Sequence, residues 1–238
     1  MKRTVQLTSF VLFLLLFQAC FLLGPSVKGD GHVTRQTRQL SGFAELDVSN
    51  GLKVVLIPDS NEYVVVEADE NLHHHIETEV RGETLKVYSE SRIIWAKEKT
   101  VLVHFRKLTA INSSSGSKIS SESPVHTKQM KLRASSGSQQ HLQVDTNQLD
   151  GKCSSGAHIY LSGASDEATI KASSGAHFKA NEFSTNSCDA DVSSGAHIWV
   201  DVRHKLHAEA SSGGHVYYSG EPSETTINSS SGGSVSRN

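Results

Sequence analysis

The tripeptide Ser-Ser-Gly recurs seven times in the second half of the sequence at an almost constant interval. Successive glycines are separated by 21, 19, 19, 20, 18 and 19 residues. A period of this length over half a chain is typical of stacked supersecondary units, which bury their apolar sides against one another. The sequence therefore predicts a solenoid with one coil per repeat. The tripeptide glycines are Gly116, Gly137, Gly156, Gly175, Gly195, Gly213 and Gly232.

The repeat unit has the alternation of a β-strand. Positions three, five and seven residues before each glycine are mostly apolar. At the fifth position before the glycine, the exception is Gly151, which has no side chain. After the glycine, Ile159 and Leu161 are apolar, whereas His158 and Tyr160 lie on the other face. A period of two predicts strands and excludes a helical solenoid. The predicted fold class is all-β, a right-handed parallel β-helix with a β-rich N-terminal capping part. The hand follows from the strong preference of parallel crossovers.

Residues 41–110 are also β-rich but lack the tripeptide. Asn50-Gly51 and Arg81-Gly82 are turn signals between strand-like runs, and Glu70 to Ile76 predicts one short helical turn. We interpret this part as the first irregular coils or as a cap, since an open solenoid end exposes strand edges. Residues 111–238 form the predicted repeat domain. The strand-like runs are 43–48, 52–57, 63–67, 84–88 and 101–105.

The start of the chain has the pattern of an export signal. Two basic residues precede an apolar run, Val11 to Phe17, that is too short for a membrane span. Ala19 before Cys20 predicts a lipoprotein signal peptide over residues 1–20, with Cys20 as the lipidation site. Cleavage without lipidation is the alternative, because Phe17 and Gln18 depart from the residues usual before a lipidated cysteine. Phe21 to Leu23 also extend the apolar run past Cys20. Residues 21–40 predict a tether.

These features predict an exported protein of the cell envelope. We expect an outer-membrane-anchored lipoprotein, with a periplasmic or secreted protein as the alternative. The formal net charge of −2 indicates no nucleic acid partner, and the scattered charges leave the N-terminal lipid anchor as the only predicted membrane contact. Cys153 and Cys188 occupy different places in the repeat, about two coils apart, so they predict buried free thiols rather than a disulfide.

Several short motifs accompany the repeat, and together they resemble a known family. They are Val27-Lys28-Gly29-Asp30-Gly31, Ser41-Gly42-Phe43, Asn71-Leu72 and the recurring Ser-Ser-Gly-Ala/Gly-x-Ile/Val, of which Asp189 to Trp199 contains the fullest copy. With these motifs, nearly everything after the tether is similar to the family described as putative auto-transporter adhesin, head GIN domain. The resemblance implies a β-helical, envelope-associated protein of Bacteroidetes-type bacteria, often a lipoprotein. It implies adhesion and provides no catalytic residues. The family favours Asn or Asp where this chain has His after Ser-Ser-Gly-Ala.

Four histidines share one position of the repeat, two residues after the glycine. Stacking would place them about 4.8 Å apart at the backbone, on the outside of the solenoid. Neutral imidazoles bind zinc or copper, but no carboxylate or thiolate is placed to complete a tetrahedral site. A polar ladder on a solvated face explains the column equally, so we predict no metal site and no cofactor. The four are His158, His177, His197 and His215.

Three aromatic residues share the next outward position, four residues after the glycine. They are Tyr160, Trp199 and Tyr217, with Lys179 among them. Exposed aromatic residues on a rigid face are typical anchors for protein partners or sugar rings. Strand propensity and cross-strand stacking also explain them. Together with the four histidines, they form the predicted ligand-binding face, whose partner is an unidentified protein or glycan at the cell surface.

Catalysis is not indicated by the sequence. Asp189, Asp191 and Asp201 point outward from at least two strands, and the short uninterrupted repeat leaves little room for the cleft that acid–base chemistry needs. Ser-Ser-Gly recurs in every coil and lacks the pattern of a nucleophile elbow. The predicted function is a non-catalytic cell-envelope adhesin or binding scaffold. The alternative is a carbohydrate-active or metal-binding β-helix protein, for which a deep groove lined by paired acids is expected.

Overall fold

The structure of the protein, a computed structural model, describes residues 26–238. The predicted signal peptide and Cys20 lie outside these residues. The described chain forms nineteen β-strands and one 3₁₀ turn, Glu70–Leu72, which confirms the all-β fold class. No helix within it has the length and apolarity needed to cross a bilayer. The strands are β1 Ser26–Lys28, β2 Val33–Arg38, β3 Glu45–Val48, β4 Lys53–Pro58, β5 Tyr63–Asp69, β6 Ile76–Arg81, β7 Thr84–Ser89, β8 Arg92–Trp95, β9 Lys99–Phe105, β10 Ala110–Ser113, β11 Lys118–Ser121, β12 Val125–Ala134, β13 Gln139–Cys153, β14 His158–Ala172, β15 His177–Val192, β16 His197–Ala210, β17 His215–Ser219, β18 Glu224–Ser229 and β19 Ser234–Arg237.

The repeats form a β-solenoid of about seven turns. Each repeat contributes a strand segment before the tripeptide and another after it, and each segment pairs in parallel with its equivalent one coil away. Ile170 lies opposite Ala190, which lies opposite Ala208, and all three are fully buried. The predicted parallel pairing and inward columns are therefore confirmed. The right hand of the solenoid stays a prediction.

The tripeptide forms a tight turn at one corner of every coil. In the third turn the amide of Ala157 donates to the carbonyl oxygen of Ser154 at 3.1 Å, and Ser155 and Gly156 have φ values of 52° and 67°. Two successive positive φ values are typical of a type I′ turn, so the second serine as well as the glycine adopts the left-handed conformation. The Gly156 amide also donates to the carbonyl oxygen of Ser174 in the next coil at 3.0 Å. Equivalent bonds join the turns along the solenoid.

A curled, mixed sheet continues the N-terminal end of the solenoid. β3 and β4 pair in parallel with β10 and β11, so both sheet faces of the solenoid extend into this part. Beyond them, β5 runs antiparallel to β9 and β2, and β6 and β7 form an antiparallel pair. The five strands and the short helical turn predicted for residues 41–110 are confirmed within a few residues. β6 and β8 were not predicted.

Two strands lie where the sequence predicted a tether. β1 pairs with β8, and β2 runs antiparallel to β5 along its whole length. Between them, the Asn71 side chain donates to the carbonyl oxygen of Lys28 at 2.8 Å and accepts from the amide of Asp30 at 3.0 Å. Residues 26–38 are therefore part of the folded domain. Their polar sequence has no clear strand alternation, and pairing with distant residues determines their conformation.

The two cysteines of the repeat are buried and free, as predicted. Burial raises the pKa of Cys153 and of Cys188 to about 12. The Sγ of Cys153 contacts the carbonyl oxygen of Ala157 at 3.2 Å. Because the thiolate is the reactive and metal-binding form, both side chains act as core residues near neutral pH.

Candidate functional site

Two outward columns predicted from the repeat are present on one sheet of the solenoid. They belong to the segments that follow the tripeptide, where parallel pairing aligns equivalent positions of neighbouring coils. All eight side chains are half-buried. We call these eight residues the aromatic face. The first column is His158, His177, His197 and His215, and the second is Tyr160, Lys179, Trp199 and Tyr217.

Neighbouring imidazoles are in contact along the first column. The ring centroids of His158 and His177 are 4.8 Å apart, those of His177 and His197 are 5.2 Å apart, and those of His197 and His215 are 5.1 Å apart. The buried Nδ1 atoms of His158 and His197 have no hydrogen-bond partner in the described part of the chain. This favours the neutral tautomer with its hydrogen on Nε2, since a second N–H would be buried without an acceptor. The Nδ1 of His215, in contrast, lies 2.6 Å from Ser234 Oγ.

The aromatic rings of the second column stack along the solenoid axis. Trp199 and Tyr217 have centroids 5.2 Å apart and an interplanar angle of 15°. Tyr160 stacks on His141 of the preceding coil at 4.3 Å and 10°. Lys179 lies between the two stacks, with Nζ 5.2 Å from the Tyr160 ring centroid and 5.5 Å from that of Trp199. The ammonium group therefore makes a cation–π contact on each side.

This stacking decides which part of each ring a partner can reach. A neighbour one strand away, about 4.8 Å, covers the flat face of a stacked ring. Within the second column, the faces that Trp199 and Tyr217 turn toward each other, and the face that Tyr160 turns toward His141, are therefore closed to a sugar ring. The column presents ring edges, phenol hydroxyls and the indole N–H instead. Such an array has an apolar body and polar tips, which suits a large partner with its own hydrogen-bonding groups.

The side chains considered for metal binding form no ligand cluster in the described chain, and the acids considered for catalysis lie on two different sheets. Within residues 26–238, no group of three or more His, Cys, Asp or Glu residues is arranged to hold a metal ion. Asp189 and Asp191 lie on the sheet formed by the strand segments before the tripeptides. The Asp191 carboxylate is 3.6 Å from Lys171 Nζ. Asp201 lies on the other sheet and accepts a hydrogen bond from the Ser219 hydroxyl at 3.0 Å.

Proton binding to the two central imidazoles of the first column, His177 and His197, is opposed by their surroundings. Burial lowers the pKa of His177, and the neighbouring His158, His197 and Lys179 lower it further. Burial and then His215 lower the pKa of His197. His177 and His197 are therefore neutral at pH 7.

Acidification is expected to destabilise the protein through this column. The unfolded chain binds protons below about pH 6.5, whereas folded His177 and His197 bind them only at lower pH, so stability falls as the pH drops through this window. We expect a lower melting temperature at about pH 5.5 than at about pH 7.5, measured by circular dichroism. His177→Gln combined with His197→Gln should reduce the difference. Tyr217→Phe, which leaves both imidazoles in place, should keep it, and an equal difference in all three proteins would contradict the explanation.

A depression of about 320 Å³ adjoins the aromatic face beside Tyr160. It extends across four successive coils and combines polar side chains from each of them. No sequence motif predicted this depression. Its lining residues are Ser121, His141, Leu142, Gln143, Tyr160, Leu161, Ser162, Lys179, Asn181 and Glu182.

An irregularity of the repeat produces one wall of this depression. The interval of 20 residues, followed by one of 18, gives β15 more residues than β16. The pairing between these strands jumps from Ala180 to Ser184, so residues 181–183 bulge. Phe183 is fully buried, while Asn181 and Glu182 are exposed. Bulges often adjoin binding sites because they redirect side chains. The unequal intervals of 20 and 18 residues were the sequence feature that could have indicated this bulge.

A larger depression lies on the N-terminal part, but its charged side chains are already paired with protein groups. Its volume is about 530 Å³. The charged groups in its lining already bind each other, since Arg106 Nε lies 3.2 Å from Glu62 Oε1. Glu62 Oε2 also accepts the amide of Gly42 at 2.7 Å. We therefore place the candidate site at the aromatic face and its adjoining depression.

Comparisons with known proteins agree with the fold. Among solved structures, the chain is similar to a "putative adhesin" of Parabacteroides merdae (16% identity over 90% of this chain and 99% of that one, TM-score 0.73). It is similar to a "putative adhesin" of Bacteroides fragilis (13%, 89% and 100%, TM-score 0.80). A "putative lipid binding protein" of Parabacteroides distasonis is also similar (18%, 90% and 99%, TM-score 0.68). At these identities the likeness concerns the fold. No curated protein matches the sequence.

One family model matches the sequence itself, over residues 42–222. The matched range includes most of the N-terminal mixed sheet, the aromatic face and six of the seven tripeptides. Because it covers well over half of the 238 residues, the chain belongs to the family described as putative auto-transporter adhesin, head GIN domain.

Proposed function

We propose that the protein is a non-catalytic adhesin or binding scaffold of the cell envelope, which docks a protein or a glycan on its aromatic face. The observation that carries this proposal is the alignment of four imidazoles and three aromatic rings on one sheet. Tyr and Trp residues are enriched among the residues that dominate binding energy at interfaces. Membership of the adhesin family supports the same conclusion.

The order of the aromatic face favours binding. Its side chains contact one another across neighbouring strands, so their rotamers are restricted before a partner arrives. Binding to such a surface loses less side-chain entropy than binding to a mobile one. A flat array without a deep cleft suits a macromolecular surface better than a small substrate.

The proposed face can be tested by removing its two largest neighbouring rings. We expect Trp199→Ser combined with Tyr217→Ser to weaken binding of the fluorescently labelled protein to intact bacterial and epithelial cells at least about tenfold, since a buried interface aromatic contributes on the order of 2 kcal/mol. Flow cytometry over a concentration series measures the effect. Circular dichroism checks that the variant keeps its fold.

The matched control lies on the opposite sheet. Lys171→Ser combined with Asp191→Ser removes two outward side chains of neighbouring coils, whose charged groups are 3.6 Å apart. These changes should leave cell binding unchanged. Equal losses in the two double variants would argue against the aromatic face. Binding that is absent from the unaltered protein would argue against adhesion itself.

An N-terminal lipid anchor on Cys20 is the second part of the proposal. Its support is the signal pattern that ends in Ala19-Cys20 and the position at which the chain enters the fold. Ser26 begins a strand beside β8, where Ile94 and Trp95 are 59% and 49% exposed. Lys28 Nζ lies 5.6 Å from the Trp95 ring. Trp and Lys side chains favour the interface between membrane and water, so an anchored chain could rest this end on the bilayer.

Intact mass and membrane fractionation test the anchor. From a native-like bacterial host, we expect a mass that lacks residues 1–19 and includes acyl chains on Cys20, together with recovery in the membrane fraction. Cys20→Ser should move the protein to the soluble fraction, because no lipid can be attached. Cys153→Ser, which changes a buried thiol, should remain with the membrane. Cleavage at another position without lipid would instead indicate a periplasmic or secreted protein.

A further inference from the structure

We infer that the depression beside Tyr160 is a subsite for one neutral pyranose ring of a glycan. This inference rests on the proposed function and deepens it, since it selects a sugar as the ligand at one end of the aromatic face. Three properties of the depression favour such a ligand: the hydrogen-bonding groups of its lining, its charge and its size.

The lining contains polar groups that no protein atom uses. In the described chain, the side-chain amides of Gln143 and Asn181, the Ser162 hydroxyl and the Glu182 carboxylate make no hydrogen bond to protein. The Ser121 hydroxyl oxygen accepts a hydrogen bond from the backbone amide of Gln143 at 2.9 Å, and its own hydrogen remains available for donation. One concave surface therefore carries both donors and acceptors without a protein partner. A sugar hydroxyl both donates and accepts, so a ring with several hydroxyls complements this arrangement.

The charges of the lining disfavour an ionic ligand. Lys179 and Glu182 have opposite charges and line the same depression. Burial and Lys118 lower the pKa of His141, which keeps this imidazole neutral at pH 7. An anionic ligand would meet the Glu182 carboxylate, and a cationic one would meet the Lys179 ammonium. An uncharged polyol can bind to both.

The size of the depression limits what it can hold. About 320 Å³ is at the lower end of the range for small-molecule sites, and the depression is open to solvent. One sugar ring can enter while the rest of a glycan continues along the surface. The adjoining second column then offers ring edges and hydroxyls to the following units.

Saturation-transfer NMR on the full chain tests this subsite. The probes are glucose, galactose, mannose and N-acetylglucosamine, with methyl glucuronide as the anionic comparison. We expect at least one neutral sugar to bind with a millimolar dissociation constant. Asn181→Ala and Glu182→Gln should each weaken that binding at least about fivefold without changing the circular dichroism spectrum. Both substituted side chains are exposed, so folding should be preserved.

The outcomes separate this inference from the proposed function. Lys171→Ser combined with Asp191→Ser, on the opposite sheet, should leave binding of the free sugar unchanged. The subsite is refuted if no neutral sugar binds at tens of millimolar, if the glucuronide binds more tightly than every neutral sugar, or if the two depression variants bind normally. In each of these cases the cell-binding experiment still decides whether the aromatic face is an adhesive surface.

Discussion

Replacing Asp69 by Asn should lower the free energy of unfolding by about 2–4 kcal/mol. The carboxylate is fully buried and accepts three backbone amides, from Gly31 at 2.9 Å, Lys97 at 3.2 Å and Glu98 at 3.0 Å. An amide has the same shape, but its NH₂ group would face donors that need an acceptor. Each buried donor left without a partner costs about 1–3 kcal/mol. Urea unfolding followed by circular dichroism measures the loss.

The control for this prediction is an exposed aspartate of the solenoid. Asp189→Asn makes the same chemical change where the side chain is accessible to solvent, so its effect should stay within about 0.5 kcal/mol. A loss below about 1 kcal/mol for Asp69→Asn would show that the three amides do not depend on the carboxylate. The experiment also tests how the former tether region is held, because Gly31 lies between β1 and β2.

The same carboxylate should make the protein sensitive to strong acid. Burial favours the neutral form of Asp69, but the hydrogen bonds from Glu98, Gly31 and Lys97 outweigh it and hold the pKa below its usual value. A lowered pKa contributes stability that is present above the unfolded value of about 3.9 and is lost as the pH falls through the folded value. The Asn variant should lack this part of the acid dependence.

Replacing Gly151 by Ile should destabilise the solenoid by about 3 kcal/mol or more, and a second substitution should reverse most of the loss. Gly151 occupies an inward column in which its neighbour Ile170 has a large side chain. A Cβ atom at Gly151 would lie 2.5 Å and 2.6 Å from two ring atoms of Phe178. The fully buried Phe178 ring therefore fills the space that Gly151 leaves open.

A double-mutant cycle measures this complementarity. Phe178→Ile alone should cost about 1–3 kcal/mol, because it leaves a cavity beside Gly151. Gly151→Ile combined with Phe178→Ile should recover about 2 kcal/mol relative to Gly151→Ile alone, since the second change removes the ring atoms that the new side chain would meet. Urea unfolding of all four proteins provides the interaction energy, expected at about 2 kcal/mol or more. Losses that simply add would refute the coupling. Ile170→Val, which removes one methylene from the same column, serves as a control and should lower the free energy of unfolding by about 1 kcal/mol.

The sequence determined the fold class and the columns of the candidate site. A period near 19 residues and an alternation of two leave few arrangements other than stacked β-coils, and stacking forces equivalent positions to align. The order of His158, His177, His197 and His215 therefore follows from counting residues after each glycine. The same counting placed Tyr160, Lys179, Trp199 and Tyr217 beside them.

Local patterns could not predict contacts between distant segments. Residues 26–38 have the composition of a tether, and their strands exist because Asn71, Asp69 and the residues of β5 and β8 bind them. The depression beside Tyr160 likewise depends on a bulge in β15 that lies beside three earlier coils. The unequal intervals of 20 and 18 residues signalled an irregularity without indicating its shape.

Only the tertiary structure decided how the aligned side chains use their surfaces. Counting residues places rings in one column but does not specify their rotamers, which depend on packing against neighbouring coils. In the folded protein, Trp199 and Tyr217 cover each other's faces, and Lys179 lies between Tyr160 and Trp199. Packing also explains the exception at Gly151, where Phe178 supplies the missing core volume. The repeat thus determined which residues align, and contacts between coils determined which of their atoms a partner can reach.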